Sequence, residues 1–302
     1  MGRSRRRWIV GIGLGFLACA LAILVSCGSA PTSSFPARLT IGLVNYDDSG
    51  ADTVEKYRRF QQYLAEQLKT NIELEPVFNE LRAVEQIQRQ AWSLVFAPPG
   101  LAAIAIAEAQ YVPLFPLQGT PNLRSLIVVN AESDTEALSD LANTAIALGE
   151  PGSAAGYYLP LYDLYGLTLQ EIRFAPTPNA ILDWVADGTV AAGAISEEDL
   201  QRYRNDYPRA AFRVLHQSRV IPSGAVLLSP TVERNQQQLI ETAMQSAPSN
   251  LSADAGYIPN APPPDFEQLI QLVEKVRPLE SRVKASPAVL TIEAESPIEG
   301  DG

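Results

Sequence analysis

The segment Gly149-Glu150-Pro151-Gly152-Ser153-Ala154-Ala155-Gly156 carries the clearest chemistry in the chain. The apolar run before it, Thr144–Leu148, reads as a strand, and the residues from Ser153 to about Tyr165 read as a helix. A glycine-bearing turn into a helix start leaves backbone N–H groups without partners and points the positive end of the helix dipole at them. That is a generic anion site. Ser153 adds a hydroxyl, which can also serve simply as the helix cap. Asn45-Tyr46 follows the apolar run Arg38–Val44, and Pro98-Pro99-Gly100 follows Leu94–Ala97. All three segments fall at expected carboxyl ends of strands, where open α/β sheets place their ligands. For Tyr46 the alternative is a packed aromatic.

Other chemistry is excluded by what the chain lacks. It has one histidine, His216, and two cysteines, Cys19 and Cys27, both near the N-terminus. A multi-histidine metal site and an internal disulfide framework are therefore ruled out. There is no HExxH, CxxC, phosphate-binding P-loop or GxSxG motif, and Gly11-x-Gly13 lies inside the N-terminal apolar run. No nucleophile–base pair is supplied, so the chain is not expected to be an enzyme or to carry a cofactor or metal. His216 reads as a structural or surface residue. Asp47-Asp48 and Glu197-Glu198 read as solvated charges. With 23 basic against 34 acidic side chains, a net charge of −11 and only four lysines, the chain is a poor partner for nucleic acid.

The N-terminus carries Arg3, Arg5, Arg6 and Arg7, an apolar run from Trp8 to Val25, and then Ser26-Cys27-Gly28. The run is long enough to span a bilayer, so an uncleaved signal-anchor is one reading. Leu24-Val25-Ser26-Cys27 resembles a bacterial lipobox and gives the other: residues 1–26 are a lipoprotein signal peptide and Cys27 is the lipidated residue. Residues 27–37 are small, polar and proline-bearing, as a tether between membrane and domain would be.

The elements that must hold these residues alternate as short apolar runs and helical patterns, the signature of an α/β protein with mainly parallel sheets. Tyr57, Phe60, Leu64 and Leu68 are spaced as one face of a helix. An alanine-rich helix follows Pro98-Pro99-Gly100. Thr177-Pro178 has the form of an N-cap with proline in the first turn, and Ser196-Glu197-Glu198-Asp199 has the form of a capping box. Candidate crossings between two lobes fall at Ser125–Val129 and Val220–Gly224. Lobe 1 is expected over 38–130 plus 223–278, lobe 2 over 131–222, and a disordered acidic tail over 279–302.

The order of these segments resembles a family. Leu39–Val44, Tyr57–Leu68, Ser125–Val129, Gly149–Pro160, Asp187–Ala194, Ser218–Pro222 and Ala255-Gly256-Tyr257 together look like the phosphate/phosphite/phosphonate-type (PhnD-like) solute-binding proteins of ABC transporters. The resemblance implies a type II periplasmic-binding-protein fold: two α/β lobes, joined by two crossovers, that close on a small anion. It adds Ser125 and Asn179 to the candidate ligand residues Asn45, Tyr46, Pro98, Ser153, Ala154, Ala155 and Gly156. It also exposes departures. The Ser-Thr-Ser-Gly run of the family is Ser153-Ala154-Ala155-Gly156 here, and Leu123, Pro178 and Ala191 stand where the family has polar contacts. Each hydrogen bond to a charged group is worth roughly 1.5–3 kcal/mol, so weak phosphonate binding is expected.

The functional expectation is an extracytoplasmic solute-binding protein. It is anchored by lipid at Cys27, binds a small phosphate- or phosphonate-related anion by hinge closure, and delivers it to an ABC permease. The alternative is a sensor or scaffold that keeps the fold, has changed or lost the ligand, and acts through a protein partner.

Overall fold

The computed structural model describes residues 38–44, 50–208 and 211–291. The arginine-rich N-terminus, Cys27, the tether, Asn45, Tyr46 and Asp47-Asp48 lie outside the described residues.

Two five-stranded sheets organise the chain. The first has the order β2-β1-β3-β11-β4, from β1 (Arg38–Val44), β2 (Asn71–Val77), β3 (Leu94–Ala97), β4 (Val112–Pro116) and β11 (Ala225–Leu228). Strands β1, β2 and β3 pair in parallel, whereas β11 runs antiparallel to β3 and β4. The second sheet has the order β10-β5-β9-β6-β8, from β5 (Arg124–Asn130), β6 (Ala145–Leu148), β8 (Glu171–Phe174), β9 (Ala192–Ser196) and β10 (Phe212–Val220). Here β6, β8 and β9 pair in parallel, and β5 runs antiparallel to β9 and β10. Each sheet is thus mainly parallel with one reversed strand. In both cases that strand is the first one formed after the chain crosses from the other sheet.

Helices cover the sheets. In α1 (Gly50–Leu68), Phe60, Leu64 and Leu68 are buried, and the partly buried Tyr57 packs edge-on to Phe96 with ring centroids 5.2 Å apart, so the expected stripe is the packed face. The helices α2 (Glu80–Gln88) and α3 (Pro99–Ala109) follow β2 and β3. The segment after β6 opens as a π-turn, Ala154–Tyr158, before α4 (Leu159–Asp163). The remaining helices are α5 (Pro178–Ala186), α6 (Glu197–Tyr203), α7 (Arg234–Gln245), α8 (Ser249–Asp254) and α9 (Glu267–Val276). Thr177 Oγ1 accepts from the Ala180 N–H and Ser196 Oγ from the Asp199 N–H, so both expected caps form.

Two expectations need correction. The segment Arg124–Asn130, assigned above to the end of the first lobe, is a strand of the second sheet, buried over most of its length and paired on both sides. The chain therefore crosses at residues 117–123, and it returns at 221–224 between β10 and β11. The tail is not disordered from Leu279. Leu279, Val283, Ala288 and Leu290 are buried, and β12 (Ala288–Val289) pairs with β7 (Thr168–Leu169). The acidic average composition of the tail concealed these apolar residues, which are enough to hold it against the second lobe.

Candidate functional site

The carboxyl ends of β3, β6, β8 and β9 converge on a cleft of about 280 Å3. Pro98 and Pro99 line it after β3, Gly149 to Gly156 (Pro151 excepted) after β6, Ala175 to Pro178 after β8, and Ser196 at the end of β9. Leu123 and Ile221, one from each crossing, contribute apolar wall. Convergence of loops at strand carboxyl ends is the placement that parallel sheets impose on a binding site.

The turn at Gly149–Gly156 is shaped by its glycines. Gly152 has φ +114°, a conformation L side chains rarely adopt, and a Cβ there would lie 2.7 Å from Glu80 Cβ. The chain then folds back, with the Gly149 N–H donating to Gly156 O at 2.9 Å. Ser153 Oγ accepts from the Gly156 N–H at 3.0 Å, and the Tyr158 N–H reaches Ser153 O at 3.1 Å, the wide i,i+5 spacing of a π-turn. The sequence reading anticipated an ordinary helix from Ser153. The fold-back bond to Gly156 widens the first turn, and regular α-helix starts only at Leu159.

Of the sequence-predicted site residues, Pro98, Ser153, Ala154, Ala155 and Gly156 come together on the cleft. Ser125 is buried behind the turn and does not line the cleft. Its hydroxyl donates to Ala155 O at 2.5 Å, and its N–H donates to Ser218 Oγ at 2.9 Å. It positions the turn. Asn179 is also outside the lining set. It lies on the first turn of α5, where the Tyr207 hydroxyl is within 3.1 Å of its Oδ1 and 2.7 Å from Asp183 Oδ1. Burial first, and then the Asp183 carboxylate that accepts its proton in a hydrogen bond, raise the pKa of the Tyr207 hydroxyl.

Sequence reasoning missed the charge of the walls. Glu80, Glu150, Glu198 and Asp199 line the cleft, with Arg202 as the basic side chain among its described lining residues. Glu150 Oε2 accepts from Asn79 Nδ2 at 2.7 Å, and Glu198 Oε2 accepts from the Thr120 hydroxyl at 2.8 Å, so both bonds tie the first lobe or its crossing to the second. Ser196 Oγ donates to Asp199 Oδ2 at 2.6 Å. For Glu198 and Asp199 the signal was the strand that ends at Ser196, since residues at such ends face the cleft whatever their capping role; Glu80 and Glu150, from other elements, had no shared signal.

His216 stands apart from the cleft. Its Nε2 is 3.0 Å from Asp163 Oδ2, close enough for an ion pair but misaligned for a hydrogen bond. Burial pushes the Asp163 carboxyl up, while His216 and then Arg219 pull it down. Among the described residues, no group of three or more His, Cys, Asp or Glu side chains is placed to hold a metal ion. Among them, too, no helix is long and apolar enough to cross a membrane.

Solved structures share this architecture. A Xanthomonas citri protein bound to chloride ion superposes with a TM-score of 0.68 at 17% identity, covering 80% of this chain and 99% of its own. PhnD1 from Prochlorococcus marinus, in complex with methylphosphonate, gives 0.60 at 16% identity over 80% of this chain and 98% of its own. A binding protein component of an ABC phosphonate transporter from Pseudomonas aeruginosa gives 0.57 at 15% identity, with coverages of 74% and 80%. At such identities the likeness is one of fold, the two-lobed periplasmic-binding-protein fold. Sequence carries the family: residues 43–257 match the family described as ABC transporter, phosphonate, periplasmic substrate-binding protein. The match takes in the second sheet, the first sheet from the end of β1 onward and every lining residue of the cleft, and the chain belongs to this family of binding proteins.

Proposed function

We propose that the chain is a lipid-tethered, extracytoplasmic solute-binding protein that takes a small solute into the cleft and delivers it to an ABC permease. The family is extracytoplasmic, which supports the location. The observation that carries the solute reading is the cleft itself, built on the Ser153–Gly156 turn at the carboxyl ends of strands from both sheets. An anionic group would rest on the Ser153 hydroxyl and on the backbone N–H groups of Ala154 and Ala155. It would do so with fewer hydroxyls than a Ser-Thr-Ser-Gly turn offers and with carboxylates in the surrounding wall, so methylphosphonate and phosphate should bind weakly.

A thermal-shift panel of phosphonates, sulfonates, phosphate and amino acids tests the reading. A solute at one hundred times its dissociation constant adds about 2.7 kcal/mol of stability and raises the melting temperature. The acid-lined wall favours a second reading, a sensor or scaffold acting through a protein partner; silence across the panel would support it and count against the first. The tether is tested separately. Cys27→Ala should leave a larger, uncleaved form, and a variant still cut and lipidated normally would remove Cys27 from the role.

A further inference from the structure

A second cavity, of about 270 Å3, adjoins the cleft and shares one wall residue with it, Ile221 of the return crossing. Leu159 at the start of α4, Val220 at the end of β10, and Leu269 and Leu272 of α9 complete its apolar wall. Four of these five side chains are buried, whereas Val220 is 44% exposed, an apolar group the fold leaves uncovered. Arg219 lines the same cavity. Its guanidinium stands 4.9 Å from the centre of the Tyr162 ring, and the Lys275 ammonium stands 5.0 Å from the same ring. Tyr162 lies one turn on from Leu159 in α4, and Gln268, Leu272 and Lys275 follow one another along one face of α9. The two cations therefore flank the cavity.

Neither cation forms an ion pair among the described residues. The Asp163 carboxyl feels the charge of Arg219, but its ion pair is with His216. Two like charges on one ring repel each other, and an exposed cation gains only about 0.5–1 kcal/mol from the ring face. An anion seated between cations and apolar wall would relieve that repulsion, and a guanidinium matches a carboxylate through two parallel hydrogen bonds. Asp265 also lines the cavity, but its Oδ1 accepts the Glu267 N–H at the start of α9, where the helix dipole offsets its charge. We propose that this cavity is a second ligand site, separate from the solute cleft, and that it takes a small amphipathic carboxylate. The apolar body lies against Leu159, Val220, Leu269 and Leu272, and the carboxylate meets Arg219, with Lys275 adding to the positive potential. The volume lies below the usual range for drug-sized ligands, so one ring or one branched chain fills it. The assignment stands whichever solute the cleft takes.

Isothermal titration of the full chain in detergent tests it. The probes are phenylacetate and 4-methylpentanoate, with phenylacetamide as the neutral isostere and phenethylamine as the charge-reversed one. At least one of the two acids should bind; the amide should bind roughly tenfold more weakly than phenylacetate, and the amine not at all. Arg219→Gln should weaken binding of the acid by roughly tenfold or more, the worth of one hydrogen bond to a charged group. Arg219 is exposed, so the variant keeps the fold. Pro176→Trp, which fills the solute cleft, should leave binding of the acid unchanged. No binding of either acid, equal affinity for acid and amide, or wild-type affinity in Arg219→Gln would each overturn the proposal. Loss of binding in Pro176→Trp would put the acid in the cleft and overturn it too.

Discussion

Ser153 and Ser125 hold the same turn from opposite sides. Ser153 Oγ accepts the Gly156 N–H, and the Ser125 hydroxyl binds Ala155 O from the buried side. Ser153→Ala should cost about 1 kcal/mol, the usual worth of an N-cap. Ser125→Ala should cost about 1–3 kcal/mol, because it strips a partner from a carbonyl behind the turn. Urea unfolding of both variants checks the order, and a larger loss for Ser153→Ala would reverse it. Ser153 was readable from its place after the glycines. Ser125 was not. Which side of the turn a strand residue meets depends on pairing between β5 and β9, some seventy residues apart in sequence. Glu280 belongs at this scale too. Burial raises its carboxyl pKa, Arg277 acts against that, and Glu108 adds to it. A raised acid favours the fold most at acid pH and loses that stability as pH rises through the folded value. Glu280→Gln should therefore match the wild type at low pH and gain on it as pH rises towards neutrality. A gain independent of pH in unfolding experiments would contradict the assignment.

At the scale of elements, periodicity and caps located most helices, because their signals are local. The stripe of α1 and the Thr177 and Ser196 caps needed no tertiary information. The alanine-rich α3 was legible as a helix, but not what covers it. A helix apolar all round must be buried, yet one of the elements that cover it, the π-turn, comes from the other lobe. The C-terminal strand was missed for the opposite reason. Ala288-Val289-Leu290 is too short to stand out from its acidic surroundings, and only pairing with β7 gives it a place. Leu290 is buried, its N–H donates to Leu167 O and its own carbonyl accepts the Gly166 N–H, each at 2.9 Å. Leu290→Ala should cost about 2–5 kcal/mol in urea unfolding. A loss below 0.5 kcal/mol would mean that the terminal segment contributes nothing to the fold.

For the molecule as a whole, two mainly parallel sheets were foreseeable from the alternation of runs, while the reversed strands and the pairing of the C-terminal β12 with β7 were not. A crossing strand takes its direction from the sheet it joins, which no local signal records. The cleft followed from the sheets, since strand carboxyl ends converge wherever such strands lie side by side. Its charge did not, because Glu80, Glu150 and Asp199 come from three separate elements. That this cleft is the solute site is tested most directly by native mass spectrometry of the protein purified from its host, beside Pro176→Trp. Pro176 is exposed and lines the cleft, so tryptophan there fills the cavity without entering the core. A solute-binding cleft predicts a small-molecule adduct on the wild type that is lost from the variant. An adduct that persists in Pro176→Trp would place the solute elsewhere and contradict the assignment.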